Sequence, residues 1–231
     1  MDNRYYFKSQ NGNSVIIEDG EAQHLSRLRR CKNGDEIMAF NGDGFDYKLK
    51  VSEISKDKVK AEIVEKTVNK AMKDANITVY LAMIKNDALT TAIDNLAELN
   101  VKHVKLFKSD FSVAMIEEKK LEKLNNTAIQ ASKQCERADI MQISIINKKD
   151  IETDAKSIPN VFFAYENSNQ KIQSFSGDFA VIIGPEGGFS DAENEWFSSF
   201  AKNVSLSNTI LRAEVACVAS VSALKAVQNE G

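Results

Sequence analysis

At 231 residues the chain has room for one large domain, or for a small domain joined to a medium one. A hydrophobic fraction of 43% beside 27% charged residues allows a sizeable core, while 10 glycines and 2 prolines exclude collagen-like, linker-dominated or largely disordered architectures. The formal net charge of −3 argues against non-specific coating of nucleic acid, so any RNA contact has to come from a local patch. No apolar run reaches the roughly 18 residues that span a bilayer, and Met1-Asp2-Asn3-Arg4-Tyr5-Tyr6-Phe7 lacks the basic stretch and apolar core of a signal peptide. The expectation is a cytoplasmic protein without a membrane partner. Cys31, Cys135 and Cys217 are far apart and the only histidines are His24 and His103, so the roughly four close soft ligands of a zinc site are missing. The thiols read as free and packed, and no metal is expected.

The first seventy or so residues read as short strands at Tyr5 to Phe7, Val15 to Ile17, Ile37 to Phe40, Tyr47 to Val51 and Val59 to Val64. Asn41-Gly42-Asp43-Gly44 between two of them is a hairpin signal, because Asn and Gly accept the positive φ that such turns demand. One short helix fits Glu21 to Arg30, and closely spaced strands with a single helix predict a small β-barrel. A polar stretch from Lys66 to Asn76 comes next, which places a domain boundary near residue 72, with domains at 1–72 and 73–231. Beyond it, strand-like runs at Ile77 to Ile84, Val101 to Phe107, Ile143 to Ile146, Val161 to Tyr165 and Phe179 to Ile183 alternate with helical patterns. The helices span about Asp87 to Leu99, Glu117 to Arg137, Asp191 to Ala201 and Leu211 to Val227, and the alternation predicts an α/β domain on a mostly parallel sheet.

Two loops carry the chemical information. Val181-Ile182-Ile183 runs into Gly184-Pro185-Glu186-Gly187-Gly188-Phe189-Ser190, and Ser190 with Glu193 forms a capping box that starts the next helix. Ligands of open α/β sheets sit at the carboxyl ends of strands, where this loop lies, and its glycines permit close backbone approach. It has neither the lysine of a phosphate-binding loop nor a G-x-G-x-x-G pattern, and Glu186 would repel a phosphate, so the loop suits a neutral or cationic ligand; a plain tight turn fits the composition equally. The second segment, Val204 to Glu214, reads as a short strand, a polar loop and the start of a helix rich in small residues. Such a helix suits a packed core, but Arg212 at the junction is harder to explain by packing.

Together, Gly184 to Ser190 with Glu193, then Leu206, Ile210-Leu211-Arg212, Glu214 and Ala216, resemble the closing motifs of the RsmE family, the 16S ribosomal RNA uridine-N3 methyltransferases of the SPOUT superfamily. Asp19-Gly20-Glu21, His24-Leu25, Leu28-Arg29, Gly34-Asp35 and the Asn41 to Gly44 turn are similar to its N-terminal RNA-binding domain. Glu98-Leu99 and Gln130 to Arg137 are similar to its middle helices. The resemblance implies a PUA-like β-barrel followed by an α/β domain with a trefoil knot, a homodimer, and S-adenosylmethionine held in a bent form. The cofactor would lie against Tyr165, Glu166, Ile183, Gly184, Pro185, Glu186, Gly187, Gly188, Leu206, Ser207, Asn208, Ile210, Leu211 and Arg212. The implied partner is 16S rRNA in the small ribosomal subunit.

Methyl transfer to a uracil N3 requires loss of a proton and stabilisation of an anion. Arg212 is the first candidate for that, with Glu214 and Glu186 as acid–base partners or, equally, helix-cap residues. Arg27, Arg29, Arg30 and Lys32 form a dense basic cluster, either a phosphate-binding patch or a solvated helix end; Arg27 and Arg30 share a face at helical spacing. Arg4 and Arg137 resemble RNA-facing family positions. The chain departs from the family pattern at Asn95, Asn100, Phe111, Ser207, Thr209 and Val215, which stand where lysine, glycine, arginine, glycine, arginine and threonine are usual. A cofactor-binding, RNA-docking protein with weakened or lost catalysis is the alternative, and a conventional Rossmann-type nucleotide enzyme is a third reading suggested only by the α/β rhythm.

Overall fold

The computed structural model describes residues 4–113 and 118–229. The chain divides into two compact units, Met1–Lys73 with Ile129–Ile140, and Asp74–Ala128 with Met141–Gly231. In the first, strands β1 (Arg4–Tyr6), β2 (Ser9–Asn11), β3 (Ser14–Glu18), β4 (Glu36–Phe40), β5 (Phe45–Ile54) and β6 (Lys58–Val68) form one sheet in the order β1-β4-β5-β6-β3-β2. All neighbours are antiparallel except β1 and β4. The order has two edges, so the expected barrel is an open strand sequence among the described residues. Two register shifts between β5 and β6 bend the long hairpin, as bulges do. Alternate residues such as Val15, Ile17, Leu49, Val51, Val59 and Ala61 fill the core under it.

The expected helix between β3 and β4 is shorter than its pattern suggests. Helix α1 (Asp19–Gln23) continues as a wide turn over His24–Leu28, in which the Arg29 N–H reaches back to the His24 carbonyl. Arg30 lies beyond it at φ 51°, and the Cys31 N–H closes on the Leu25 carbonyl six residues back, one residue wider than the usual closing bond of a helix end. Arg27 and Arg30 therefore do not share a helical face.

Residues 129–140 join this unit through a dense polar seam. The Gly44 N–H donates to the Ala138 carbonyl, Asn69 Nδ2 to the Glu136 carbonyl, and Lys133 Nζ pairs with Glu21 at 2.5 Å. A linear division at residue 72 omits this segment, because α3 (Glu118–Gln134) is one continuous helix whose periodicity carries no sign that its last turns belong elsewhere. The start expected at Glu117 lies outside the described residues. Arg137 is 2% exposed and forms a two-point pair with Asp139, with Nη2 to Oδ2 at 2.7 Å. Arg4 is buried, ion-paired with Asp46 and stacked over Phe40. Both arginines, expected on an RNA-facing surface, are structural. Their charges are spent on carboxylates within the unit.

The second unit is built on an all-parallel sheet, β13-β10-β12-β7-β8-β9, made of β7 (Ile77–Ala82), β8 (His103–Phe107), β9 (Gln142–Ile145), β10 (Asn160–Ala164), β12 (Phe179–Ile183) and β13 (Lys202–Val204). Every residue of the central β7 and β12 is buried, as strands covered on both faces must be. Helices α2 (Asn86–Glu98), α5 (Asp191–Phe200) and α6 (Ala213–Val227) follow the predicted pattern, joined by the short α4 (Ile151–Ala155). A two-stranded pair, β11 (Phe175–Ser176) with β14 (Gln228–Asn229), was not legible from so few residues. Asn100, standing where the resemblance leads one to expect glycine, adopts φ 63° and ends α2 through Val101 N–H to Leu96 carbonyl; Asn tolerates the left-handed region better than most residues. Cys31 and Cys217 are buried and Cys135 is half-buried, and burial pushes the Cys217 thiol up to about 12.

Replacing Arg137 by Ala leaves Asp139 beside an emptied, buried site, and should lower stability by about 3 kcal/mol, since breaking one partner of a buried ion pair strands the other. The midpoint of urea unfolding measures it, and a shift equal to that of an exposed arginine variant such as Arg29→Ala would contradict the structural role.

Candidate active site

Three neighbouring strands, β13, β10 and β12, point their carboxyl ends at one open cleft of about 240 Å³. From the end of β10 come Ala164, Tyr165 and Glu166, and from β12 come Ile183 and the whole Gly184-Pro185-Glu186-Gly187-Gly188-Phe189 loop. From the segment after β13 come Val204, Leu206, Ser207, Thr209, Ile210 and Leu211, and the first turn of α6 adds Ala213 and Ala216. No Lys, Arg or His is among these described lining residues, whereas two carboxylates are.

The glycine-rich loop is anchored at its C-terminal end. Phe189 turns inward to meet Phe197 at 4.9 Å, Phe163 at 5.5 Å and Phe107 at 6.2 Å between ring centroids. A Cβ on Gly184 would lie 3.0 Å from the Phe189 ring, and Gly188 sits at φ 71° with its N–H on the Pro185 carbonyl. The capping box expected from Ser190 and Glu193 is present in both directions. Glu193, 2% exposed, accepts from the Asp110 N–H and pairs with Lys148 Nζ at 2.7 Å; Lys148 also pairs with Asp110 at 2.6 Å, and the Ser190 hydroxyl donates to Asp110 at 2.6 Å. The hydrogen bonds from Lys148 and Ser190 hold the Asp110 carboxyl below its ordinary range. Burial alone would lower Lys148, but its two carboxylate partners outweigh it and raise it. The loop is thus clamped at its exit by charge and aromatic packing together.

Glu186 does not point free into solution. Its Oε1 accepts the backbone N–H of Lys85 at the N-cap of α2, a helix-terminus role that explains a carboxylate in this loop without assigning it a proton. On the other wall, the Ser207 and Thr209 hydroxyls bond each other at 2.9 Å and Ser207 Oγ accepts the Thr209 N–H, a local turn that keeps both at the rim.

Of the expected cofactor contacts, Asn208 and Arg212 do not line the cleft; both are exposed. Arg212 is the N-cap residue of α6, set between Leu211 and Ala213, which do line it, so it borders the cleft without entering its lining. Glu214 is half-buried in the first turn of α6, where a carboxylate complements the helix end. Ala164, Phe189, Val204, Thr209, Ala213 and Ala216 line the cleft beyond the contacts expected from the sequence. The small-residue pattern of α6 was the available signal for two of them. In the first unit, Arg27, Arg29, Arg30 and Lys32 are all exposed on consecutive turns, with Leu28 among them.

The family model described as an RNA methyltransferase domain matches residues 54–225, and one described as an RNA methyltransferase PUA domain matches residues 17–64. A protein of Aquifex aeolicus named ribosomal RNA small subunit methyltransferase E is 30% identical over 228 residues, covering 95% of this chain and 97% of its own length. A protein of the same name from Rickettsia conorii is 26% identical over 237 residues, covering 96% and 95%. The crystal structure of the Neisseria gonorrhoeae protein of that name, bound to S-adenosyl methionine, superposes with a TM-score of 0.83 at 22% identity over 99% of this chain and 98% of that one. With most of its length under a single family model and a 30% identical relative along nearly all of it, this chain belongs to the ribosomal RNA small subunit methyltransferase E family of RNA methyltransferases.

Proposed function

We propose that this chain transfers a methyl group from S-adenosylmethionine to N3 of a uridine in 16S rRNA. The observation that carries the reading is the cleft itself, a backbone-lined hollow at three strand ends, with carboxylates and no cationic side chain among its described lining residues. A phosphate-bearing nucleotide would meet repulsion there, whereas a neutral adenosine with a cationic sulfur meets Glu166, apolar walls from Ile183, Leu206 and Leu211, and open backbone groups of the glycine loop. When bound, S-adenosylmethionine supplies an electrophilic methyl group on sulfur. The residues proposed to hold it are Tyr165, Glu166, Ile183 to Gly188, Leu206, Ser207, Ile210 and Leu211.

The chain's own work is on the RNA side of the cleft. An N3 atom reacts only after losing its proton, and the negative charge then spreads over the two flanking carbonyl oxygens. Arg212, at the border of the cleft and permanently charged, is proposed to donate to such an oxygen. Glu214, two residues on, is proposed as the proton acceptor, ahead of Glu186, whose Oε1 already accepts from the α2 N-terminus. The target base must be unpaired or flipped, since N3 lies on its pairing edge. Arg27, Arg29, Arg30 and Lys32 are the proposed phosphate contacts.

The same reading includes a trefoil knot, a homodimer and a cytoplasmic location. In support of the knot, β13 lies at the sheet edge, the Ser205 N–H donates to the Gln170 carbonyl in the loop between β10 and β11, and α6 then returns to pack on α2 and β12. Ile210, 91% exposed, and Val215 support a second copy as the cover for the α6 end of the cleft. No helix among the described residues is long and apolar enough to cross a membrane.

Calorimetry with S-adenosylmethionine should give saturable binding, weakened at least tenfold by Gly184→Ala, whose added methyl meets the anchored Phe189 ring; absence of binding by the wild-type chain at hundreds of micromolar sinks the reading. Arg212→Ala should cut kcat on unmethylated small subunits by roughly a hundredfold, the usual cost of one anion-stabilising donor, and leave donor affinity within threefold. Equal losses in both would remove Arg212 from the chemistry.

A further inference from the structure

We propose that Phe111 is a stacking platform for an unpaired base of the RNA substrate, delivered to the mouth of the cleft. The inference rests on the function proposed above and specifies a contact that it leaves open. Phe111 is 51% exposed, although it belongs to the unit whose other phenylalanines are mostly packed into the core. It lies directly on the cofactor-side loop, its Cβ 3.4 Å from where a Cβ on Gly187 would stand. Phe111 and Gly187 are thus neighbours at the edge of the loop.

The turn that presents the ring is tied by hydrogen bonds. The Ser112 N–H donates to the Ser109 carbonyl, the two serine hydroxyls meet at 2.9 Å, and Ser112 Oγ accepts the Ser109 N–H. Asp110 is fixed from both ends, through its N–H on Glu193 Oε1 and its carboxylate on Lys148 and the Ser190 hydroxyl. An exposed aromatic ring on a pinned turn loses little conformational freedom when a flat partner docks, which favours stacking. Lys108, three residues before it in the chain, is exposed, and so is Lys85, whose N–H is held by Glu186 next to Gly187. An exposed aromatic face with lysines on the neighbouring segments fits a single-stranded nucleic acid, whose bases stack while its phosphates meet the charges. A protein partner would not call for that charge.

The test uses the full chain, S-adenosylmethionine, and small ribosomal subunits that lack the modification. Phe111→Leu should raise KM for subunits roughly tenfold, the usual scale for loss of one stacked base, with donor affinity unchanged. Phe111→Trp should restore the wild-type KM, which a mere packing role would not predict for the larger ring. Subunits carrying 5-iodouridine at the methylated position should, on irradiation, crosslink to the peptide containing Phe111. An unchanged KM in Phe111→Leu, or a crosslink that avoids Phe111, overturns the inference while wild-type methylation leaves the proposed function standing. A wild-type chain that transfers no methyl group overturns both. A loss of self-association in Phe111→Leu with KM unaltered assigns the ring to a second copy instead, and overturns it too.

Discussion

The cleft depends on the way Phe189 is packed. A loop of Gly-Pro-Glu-Gly-Gly has few side chains of its own with which to hold a shape, and glycine costs more conformational entropy on ordering than any other residue. The ordering is supplied from the next residue along. Phe189 sits in a cage of Phe107, Phe163 and Phe197, and the capping box one residue later starts α5 at a defined point. The ion cluster of Asp110, Lys148 and Glu193 then ties the same corner to the segments beyond β8 and β9. A flexible composition thereby becomes a rigid backbone surface, which is what a ligand read by main-chain groups requires.

Charge is divided in a consistent way. Positive side chains stay out of the described cleft lining, and of the carboxylates in or beside it Glu186 is engaged by the start of α2 and Glu193 by that of α5, while Glu166 faces the cleft. Exposed cations occur at Arg27, Arg29, Arg30 and Lys32 in the first unit and at Lys85 and Lys108 in the second. Two other arginines of the first unit, Arg4 and Arg137, are consumed internally by Asp46 and Asp139. A count of basic residues in a sequence therefore overstates what a polyanion can reach, because a guanidinium paired in the core is lost to the surface.

Most elements were legible because their patterns are local. Alternation marked β3 to β6, continuous apolar runs marked β7 and β12, and Ser190 with Glu193 marked the start of α5 to the residue. The features that escaped were short or non-local. β2, β11 and β14 have two or three residues each, too few to show a period. The helix after β3 loosened into a wide turn because its closing bonds involve Arg30 in a left-handed conformation, which nothing in residue type announces. Residues 129–140 joined the first unit through bonds to Glu21, Gly44 and Asn69, partners far away along the chain.

The candidate site divides along the same line. Residue order alone determined the glycine loop, its capped helix, the missing phosphate lysine and the run of arginines, since each is a property of neighbours in the chain. Tertiary structure alone decided that three strand ends meet, that Ala213 and Ala216 complete a wall, and that Arg212 stands beside the cleft rather than in its lining. It also decided that Arg4 and Arg137 are buried and that Phe111 rests against Gly187. Burial and proximity are set by the packing of elements distant in sequence, and side-chain chemistry fixes what a residue can do only after that packing has fixed what it can touch.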